Sequence, residues 1–235
     1  MPSRGGCFRV AVMMIRAFAV ILCLLASPLM AEAPQTDGVA VKGVLPDAAL
    51  YRLATCGAPP GGACQGKVLR WQKPRLTLRI DPGDDVLPPG FVDRLGTALT
   101  SAIREVNVAG AGIRLEMTDA TEADITIRPT TLADGTVLTA SPGFSGRGTM
   151  GVGYMTVWYD RSNRIVEAVI LISTSITDDD LPSVMLEEVT QSLGFLYDIE
   201  GPAYEGVSIL SQTSNATVTL TGQDTTLLRL HYPPP

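Results

Sequence analysis

Alternating hydrophobic and polar positions predict a β-sheet between residues 76 and 172. Four segments have apolar residues at every second position, as in strands with one buried face: residues 76–80, 113–117, 125–127 and 155–159. A fifth segment, residues 168–172, is apolar throughout. We expect this fifth strand at the centre of the sheet, because a continuous apolar run is typical of a strand buried on both faces.

Helical spacing of apolar residues predicts three helices. The longest covers residues 91–106, and a second runs from about residue 181 to 193, where Gly194 is a natural stop. Thr221 and Asp224 have the spacing of a capping box at the start of a last helix. The order of strand, helix, four strands and two helices predicts an α+β fold with a mixed sheet.

Two segments show no clear period. Residues 32–70 are rich in proline and glycine, and we interpret them as an N-terminal extension that precedes a domain of residues 71–235. The glycines between Gly143 and Gly153 predict a long loop. A phosphate-binding loop is not expected there, since neither Lys-Ser nor Lys-Thr follows the glycines and no helix is predicted after them.

The N-terminal segment has the layout of a secretory signal peptide. Three arginines precede or flank an apolar run from Ala17 to Ala26, which Ser27 and Pro28 interrupt. The run is shorter than the roughly 20 residues that span a membrane. We expect residues 1–31 to be removed, with cleavage after Ala31 or Ala33, giving a periplasmic or secreted bacterial protein that is not attached to the membrane. An uncleaved anchor is the alternative.

Charge and cysteine content narrow the class of partner. The net charge of −6 disfavours nucleic acid and anionic lipid, because both are bound through clustered lysine and arginine. Outside the signal peptide the cysteines are Cys56 and Cys64, and in an oxidising compartment we expect them to form a disulfide that closes a short loop.

The segment after residue 185 carries the main functional signal. Residues 186–198 read Leu-Glu-Glu-Val-Thr-Gln-Ser-Leu-Gly-Phe-Leu-Tyr-Asp and resemble the zinc helix of matrixin-like metalloproteases, H-E-x-x-H-x-x-G-x-x-H. Glu188 takes the position of the general-base glutamate, and Gly194 that of the glycine. The three histidine positions are occupied by Glu187, Gln191 and Tyr197.

The resemblance extends beyond this helix. Matrixin-like domains also have a strand, a helix and four strands before the zinc helix, which implies a zincin-like fold. Residues 208–211 resemble the later turn of these proteins, with Leu210 in place of its methionine, and residues 221–232 resemble their final helix. The Glu-Glu-x-x-Gln-x-Leu-Gly pattern is also similar to an uncharacterised family of exported bacterial proteins, the domain of unknown function 2927, which implies no established activity.

The substituted positions argue against a zinc site. Glu187 offers one carboxylate, but Gln191 offers a weak neutral carboxamide and Tyr197 a phenol that is protonated near neutral pH. Calcium and magnesium need more carboxylate oxygens than these residues supply. We therefore expect no metal and no other cofactor.

Helical geometry places Glu187 and Gln191 on one face, away from the predicted core, at about 100° per residue. A former catalytic face and an ordinary solvated face both fit this pattern. Glu188 is the candidate catalytic residue, with Asp198 as a distant partner. His231, at the end of the last helix, is expected to be a helix-terminus cation or a surface residue.

These observations favour an exported, degenerate zincin-like domain that acts as a non-catalytic binding or envelope-associated module. Its expected partner is an unidentified protein, peptide or glycan of the cell envelope. The alternative is a peptidase-like or other hydrolase that uses Glu188 without a standard zinc site. A purely structural periplasmic protein is a third possibility.

Overall fold

The computed structural model describes residues 38–139 and 148–235. The chain divides into two compact units, residues 1–33 and 34–235, and all described residues belong to the second unit. The predicted signal peptide lies outside the described residues. No helix within the described ranges combines the length and the apolar character needed to cross a membrane.

Four helices and ten strands form the described structure. The helices are α1 (Asp47–Cys56), α2 (Phe91–Val108), α3 (Leu181–Gln191) and α4 (Gly222–His231). The first five strands are β1 (Val39–Ala40), β2 (Arg70–Trp71), β3 (Arg75–Ile80), β4 (Arg114–Met117) and β5 (Ile125–Thr130). The others are β6 (Val137–Leu138), β7 (Gly148–Thr149), β8 (Gly153–Tyr159), β9 (Arg164–Ser173) and β10 (Ile199–Glu200).

The main sheet is mostly parallel. Strands β4, β3, β5 and β9 are neighbours in this order, and all are parallel. Strand β2 pairs in parallel with the start of β9, whereas β8 lies antiparallel on the other side of β9. Residues 168–172 of β9 are buried on both faces, as predicted. The sheet and four helices agree with the expected α+β class.

Strand β5 is longer than the predicted residues 125–127. It passes through Pro129 and ends at Thr130. The carbonyl of Ile127 accepts a hydrogen bond from the Asp81 amide on the β3 side. Alternate residues of a strand point the same way, so the missing N–H of Pro129 also faces the β3 side, beyond the last residue of β3. No ladder hydrogen bond is lost there, and proline is tolerated.

The two faces of the sheet have different coverings. Helices α2 and α3 pack on one face and form the main core with the apolar residues of β3, β5 and β9. The other face of β9 carries a smaller cluster of Val169 and Leu171 with Leu138 and Met150, near the β6–β7 pair. The predicted glycine-rich loop lies partly outside the described residues; within its described part, β7 begins at Gly148 and β8 at Gly153.

The segment before β3 is more ordered than its sequence indicates. It contains β1, which pairs in parallel with β10, and α1, whose Leu50 and Leu53 are fully buried in the main core. The Leu45 amide donates to the Tyr204 hydroxyl at 2.8 Å, which ties this segment to the later part of the chain. The predicted disulfide between Cys56 and Cys64 is present at the end of α1.

The end of α3 is fixed by contacts from both ends of the domain. The Trp71 indole donates to the carbonyl of Ser192 at 2.9 Å, and the Tyr232 hydroxyl donates to the next carbonyl at 2.6 Å. Gly194 has φ +110°, and a Cβ there would overlap the carbonyl oxygen of Leu69. The chain therefore turns at Gly194 because only a residue without a side chain fits against this backbone.

Replacing Gly194 with alanine should destabilise the protein by at least about 2 kcal/mol, because backbone strain at positive φ and the overlap with Leu69 act together. Urea unfolding measures this loss. Gly43→Ala is the control, since open space surrounds Gly43, and it should change stability by less than about 0.5 kcal/mol. Equal unfolding midpoints for the two variants would show that the turn is not tightly packed.

Candidate functional site

Glu188 points into the structure rather than toward solvent. It lies on α3 and is only 7% exposed. Its Oε1 atom lies against Gly153, the first residue of β8, where a Cβ would overlap it and would approach Val184 Cγ1 at 2.6 Å. The absence of a side chain at Gly153 therefore leaves the space that the Glu188 carboxyl fills.

Three carboxyl groups lie close enough to influence one another. Glu187 is half-buried, and Glu188 and Asp198 are buried. Burial, then the charge of Asp198 and then that of Glu188, raise the pKa of Glu187 well above its usual value. Like charges in a partly dry position favour the neutral acid, so Glu187 holds its proton at a pH where a free glutamate has lost it.

The side chain of Gln191 is hydrogen-bonded to that of Asp198. Its Nε2 atom donates to Asp198 Oδ1 at 2.7 Å, which is the distance of a charge-assisted hydrogen bond. The chain leaves α3, turns at Gly194 and returns, so that the two side chains meet. Gln191 thus orients a carboxylate, and its amide group supports Asp198.

Tyr197 packs against the disulfide loop. A Cβ at Gly57 would lie 2.5 Å from Tyr197 Cε1, and one at Gly66 would overlap the Tyr197 hydroxyl oxygen. The Tyr197 amide donates to the carbonyl of Ala54, near the end of α1, at 3.2 Å. The position that matches the third histidine of the zinc pattern is therefore embedded among residues of the N-terminal segment.

The structure brings Glu187 and Gln191 together with Asp198, and Glu188 lies near enough to Glu187 to raise its pKa. Among the residues that the structure describes, no three histidine, cysteine, aspartate or glutamate side chains are placed to share a metal ion. The donor chemistry agrees with this geometry, because the amide of Gln191 is used as a hydrogen-bond donor and Tyr197 lies against the loop. The residues present do not fit a catalytic zinc site.

Helical geometry left open whether Glu187 and Gln191 lie on a former catalytic face or on an ordinary solvated face. Both residues are half-buried, so this face is not fully solvated, and Gly194, just beyond the end of the helix, is buried. Residues 69–71 cover the end of α3 and lie far from it in the sequence, so the spacing of residues within α3 does not reveal this contact.

The prediction for His231 is wrong. The residue is completely buried, its Nδ1 lies 3.0 Å from the Tyr51 hydroxyl, and its Nε2 lies 3.0 Å from the carbonyl oxygen of Leu69. A carbonyl only accepts, so Nε2 carries the proton and Nδ1 accepts from Tyr51. Burial, reinforced by the charge of Arg70, lowers the pKa of His231 to about 4. His231 is therefore a neutral structural residue near pH 7.

The predicted capping box is also wrong. Thr221 makes no side-chain capping bond within the described structure, and the carboxylate of Asp224 turns instead to the turn of residues 208–211. The Ser208 hydroxyl donates to Asp224 Oδ1 at 2.6 Å, and the Ile209 amide donates to Oδ2 at 2.8 Å. Burial raises the pKa of Asp224 to about 6, although both hydrogen bonds act in the opposite direction.

The turn of residues 208–211 also helps to fix the backbone at Asp198. The carbonyl of Leu210, which is buried in the core, accepts a hydrogen bond from the Ile199 amide at 2.8 Å. Ile199 directly follows Asp198, whose own carbonyl accepts from the Val39 amide of β1 at 2.9 Å. The backbone at Asp198 is thus fixed on both sides. One sign of this is visible in the sequence, where an aspartate lies between apolar residues.

The site lies within a region that a protein-family model matches. The model of a family described as "Protein of unknown function (DUF2927)" matches residues 89–235. The chain belongs to this family. Among curated proteins, none matches the chain. The DUF2927 region includes α2, α3, Asp198 and the turn bound by Asp224, so it contains the carboxyl groups of the site. The predicted family membership is confirmed.

The two shifted groups at α4 should affect stability in opposite directions. Neutral His231 stabilises the fold above about pH 6.5, and this contribution is lost as the pH falls toward 4. Asp224 has the reverse effect, because its raised pKa favours the fold at low pH and this contribution is lost as the pH rises from 3.8 to about 6. Each effect is about 3 kcal/mol at most.

Asp224→Asn should therefore gain stability relative to the wild type as the pH rises from 4 to 6, and His231→Gln should lose it over the same interval. Urea unfolding at several pH values measures the two differences. Parallel curves for the wild type and both variants would contradict the burial argument.

Proposed function

We propose that this protein is an exported, zincin-like module that binds a component of the cell envelope and does not cleave it. One observation carries the proposal. The side chains at two of the histidine positions of the zinc pattern serve the scaffold, since Gln191 binds Asp198 and Tyr197 packs against the disulfide loop. A site whose former ligands stabilise the fold is better suited to binding than to metal-dependent hydrolysis.

The order of the elements supports the zincin-like part of the proposal. Strand β3 and helix α2 are followed by the larger strands β4, β5, β8 and β9 and then by α3, with the short pair β6–β7 inserted. Matrixin-like domains have the same order before their zinc helix. The turn at Gly194 and the buried turn that contains Leu210 follow α3 as the resemblance implies.

The position of Glu188 supports a non-catalytic role. A general base must come within hydrogen-bond distance of the proton it removes, or reach it through one water molecule. Glu188 is nearly buried between α3 and β8, and its Oε1 atom faces the backbone at Gly153. A side chain this buried offers a substrate little access to its carboxyl.

The disulfide supports the proposed export. Cys56 and Cys64 are bonded at the end of α1, and such bonds persist in oxidising compartments. This agrees with a periplasmic or secreted protein and with a protein, peptide or glycan of the envelope as the ligand.

A metal-independent hydrolase is the second candidate, and one observation favours it. Glu187 is held as a neutral acid beside the carboxyls of Glu188 and Asp198. A carboxylic acid next to a carboxylate is the pairing that many acid–base hydrolases use. Helix geometry opposes this candidate, because Glu187 and Glu188 are adjacent and diverge by about 100°.

Elemental analysis and substrate screening distinguish these functions. We expect the purified protein to contain no stoichiometric zinc, and we expect neither the wild type nor Glu188→Gln to turn over peptide or glycan libraries. Glu122→Gln is the matched control, since Glu122 is exposed and lies outside the site. Stoichiometric zinc with proteolysis would overturn the proposal. Metal-free turnover that is lost in Glu188→Gln but kept in Glu122→Gln would establish the hydrolase.

A further inference from the structure

A concave surface lies at the opposite end of α3 from Gln191. We call it the α2–α3 groove, and it has a volume of about 390 Å³. This volume is near the lower end of the range of about 300 to 1,000 Å³ for ligand sites. The first residues of α3, Leu181 and Pro182, form one wall, and the first three turns of α2 form the other.

The floor of the groove is apolar and its rim is open. Ala98 and Leu181 are buried, at 5% and 4% exposure, and Pro182 lies beside them. Thr97 and Asp93 at the rim are exposed. A small molecule in such an open site would leave much of its surface in water, whereas small-molecule sites enclose most of their ligand. The shape fits a side chain supplied by a larger partner.

The charges of the groove select a basic partner. The guanidinium of Arg94 forms an ion pair with Asp178 and also lies 5.3 Å from the centre of the Phe91 ring. This pair neutralises one acid and one base, so the carboxylate of Asp93 gives the lining a net negative charge. Asp179, the next residue after Asp178, adds a further negative charge. Complementary charge favours lysine or arginine.

We propose that the α2–α3 groove binds a basic segment of a partner protein. An apolar side chain of the segment packs on Ala98 and Leu181, and a neighbouring lysine or arginine lies beside Asp93. The inference names a partner for the binding module proposed above and to that extent rests on it. It involves neither Glu188 nor the other carboxyls of the first site.

The test uses a fluorescein-labelled Gly-Lys-Leu-Leu-Lys-Gly peptide and its Gly-Glu-Leu-Leu-Glu-Gly counterpart, with binding to the full protein followed by fluorescence anisotropy. Thr97→Trp should fill the groove and weaken binding of the basic peptide about tenfold or more. Thr100→Trp is its matched control, because Thr100 is exposed on the same helix and does not line the groove. Its affinity should stay within about twofold of the wild type.

The charge is tested separately. Asp93→Asn should weaken binding of the basic peptide, and added salt should weaken it further, whereas the exposed Asp119→Asn should have little effect. The proposal is supported if the basic peptide binds more strongly than the acidic peptide and if the variants differ from their controls as described. No binding of the basic peptide, equal binding of the acidic one, equal effects of the two tryptophan variants, or equal affinity for hexylammonium would each overturn it. A negative result here leaves the zinc and turnover measurements unaffected.

Discussion

The contact between the Leu69 carbonyl and the backbone at Gly194 determines how the chain leaves α3. The same carbonyl accepts a hydrogen bond from His231, so one oxygen joins the N-terminal segment, the turn after α3 and the last helix. Because the turn is fixed there, the chain comes back along α3 and Asp198 reaches Gln191. The arrangement of the carboxyl groups therefore depends on residues far from α3 in the sequence.

The cost of this arrangement is electrostatic. Glu187 is partly buried near two other acids, which favours its protonated form. The fold holds Asp198 in place against the repulsion through Gln191 and through the backbone hydrogen bonds at Val39 and Ile199. A proton on Glu187 and the amide donor of Gln191 balance this set of carboxyl groups.

Patterns of short range predicted much of this structure. The alternation in residues 76–80 and the apolar run of residues 168–172 identified β3 and the central strand β9, and the Glu-Glu-x-x-Gln-x-Leu-Gly pattern identified α3 and the family. These signals depend on neighbours within a few positions. They give the elements of the fold and the location of the candidate site.

Contacts of long range were not predictable in the same way. Helix α1 packs against α4 and buries Leu50, Leu53 and Ala54 at helical spacing, but this short pattern lies in a segment rich in proline and glycine, which obscures it. His231 looks like an exposed residue at a helix end until Leu69 and Tyr51 are placed over it. The capping pattern at Asp224 failed for the same reason, since Ser208 and Ile209 compete for that carboxylate.

The arrangement of the carboxyl groups depends most on the turn after α3, which places Asp198 near Glu187. Carbon-13 NMR titration of the Glu187 side-chain carboxyl tests this placement directly, in the wild type and in Asp198→Asn. We expect the pKa of Glu187 to lie well above its usual value in the wild type and to fall in the variant. A Glu187 that titrates like an exposed glutamate in the wild type, or that is unchanged by the substitution, would contradict it.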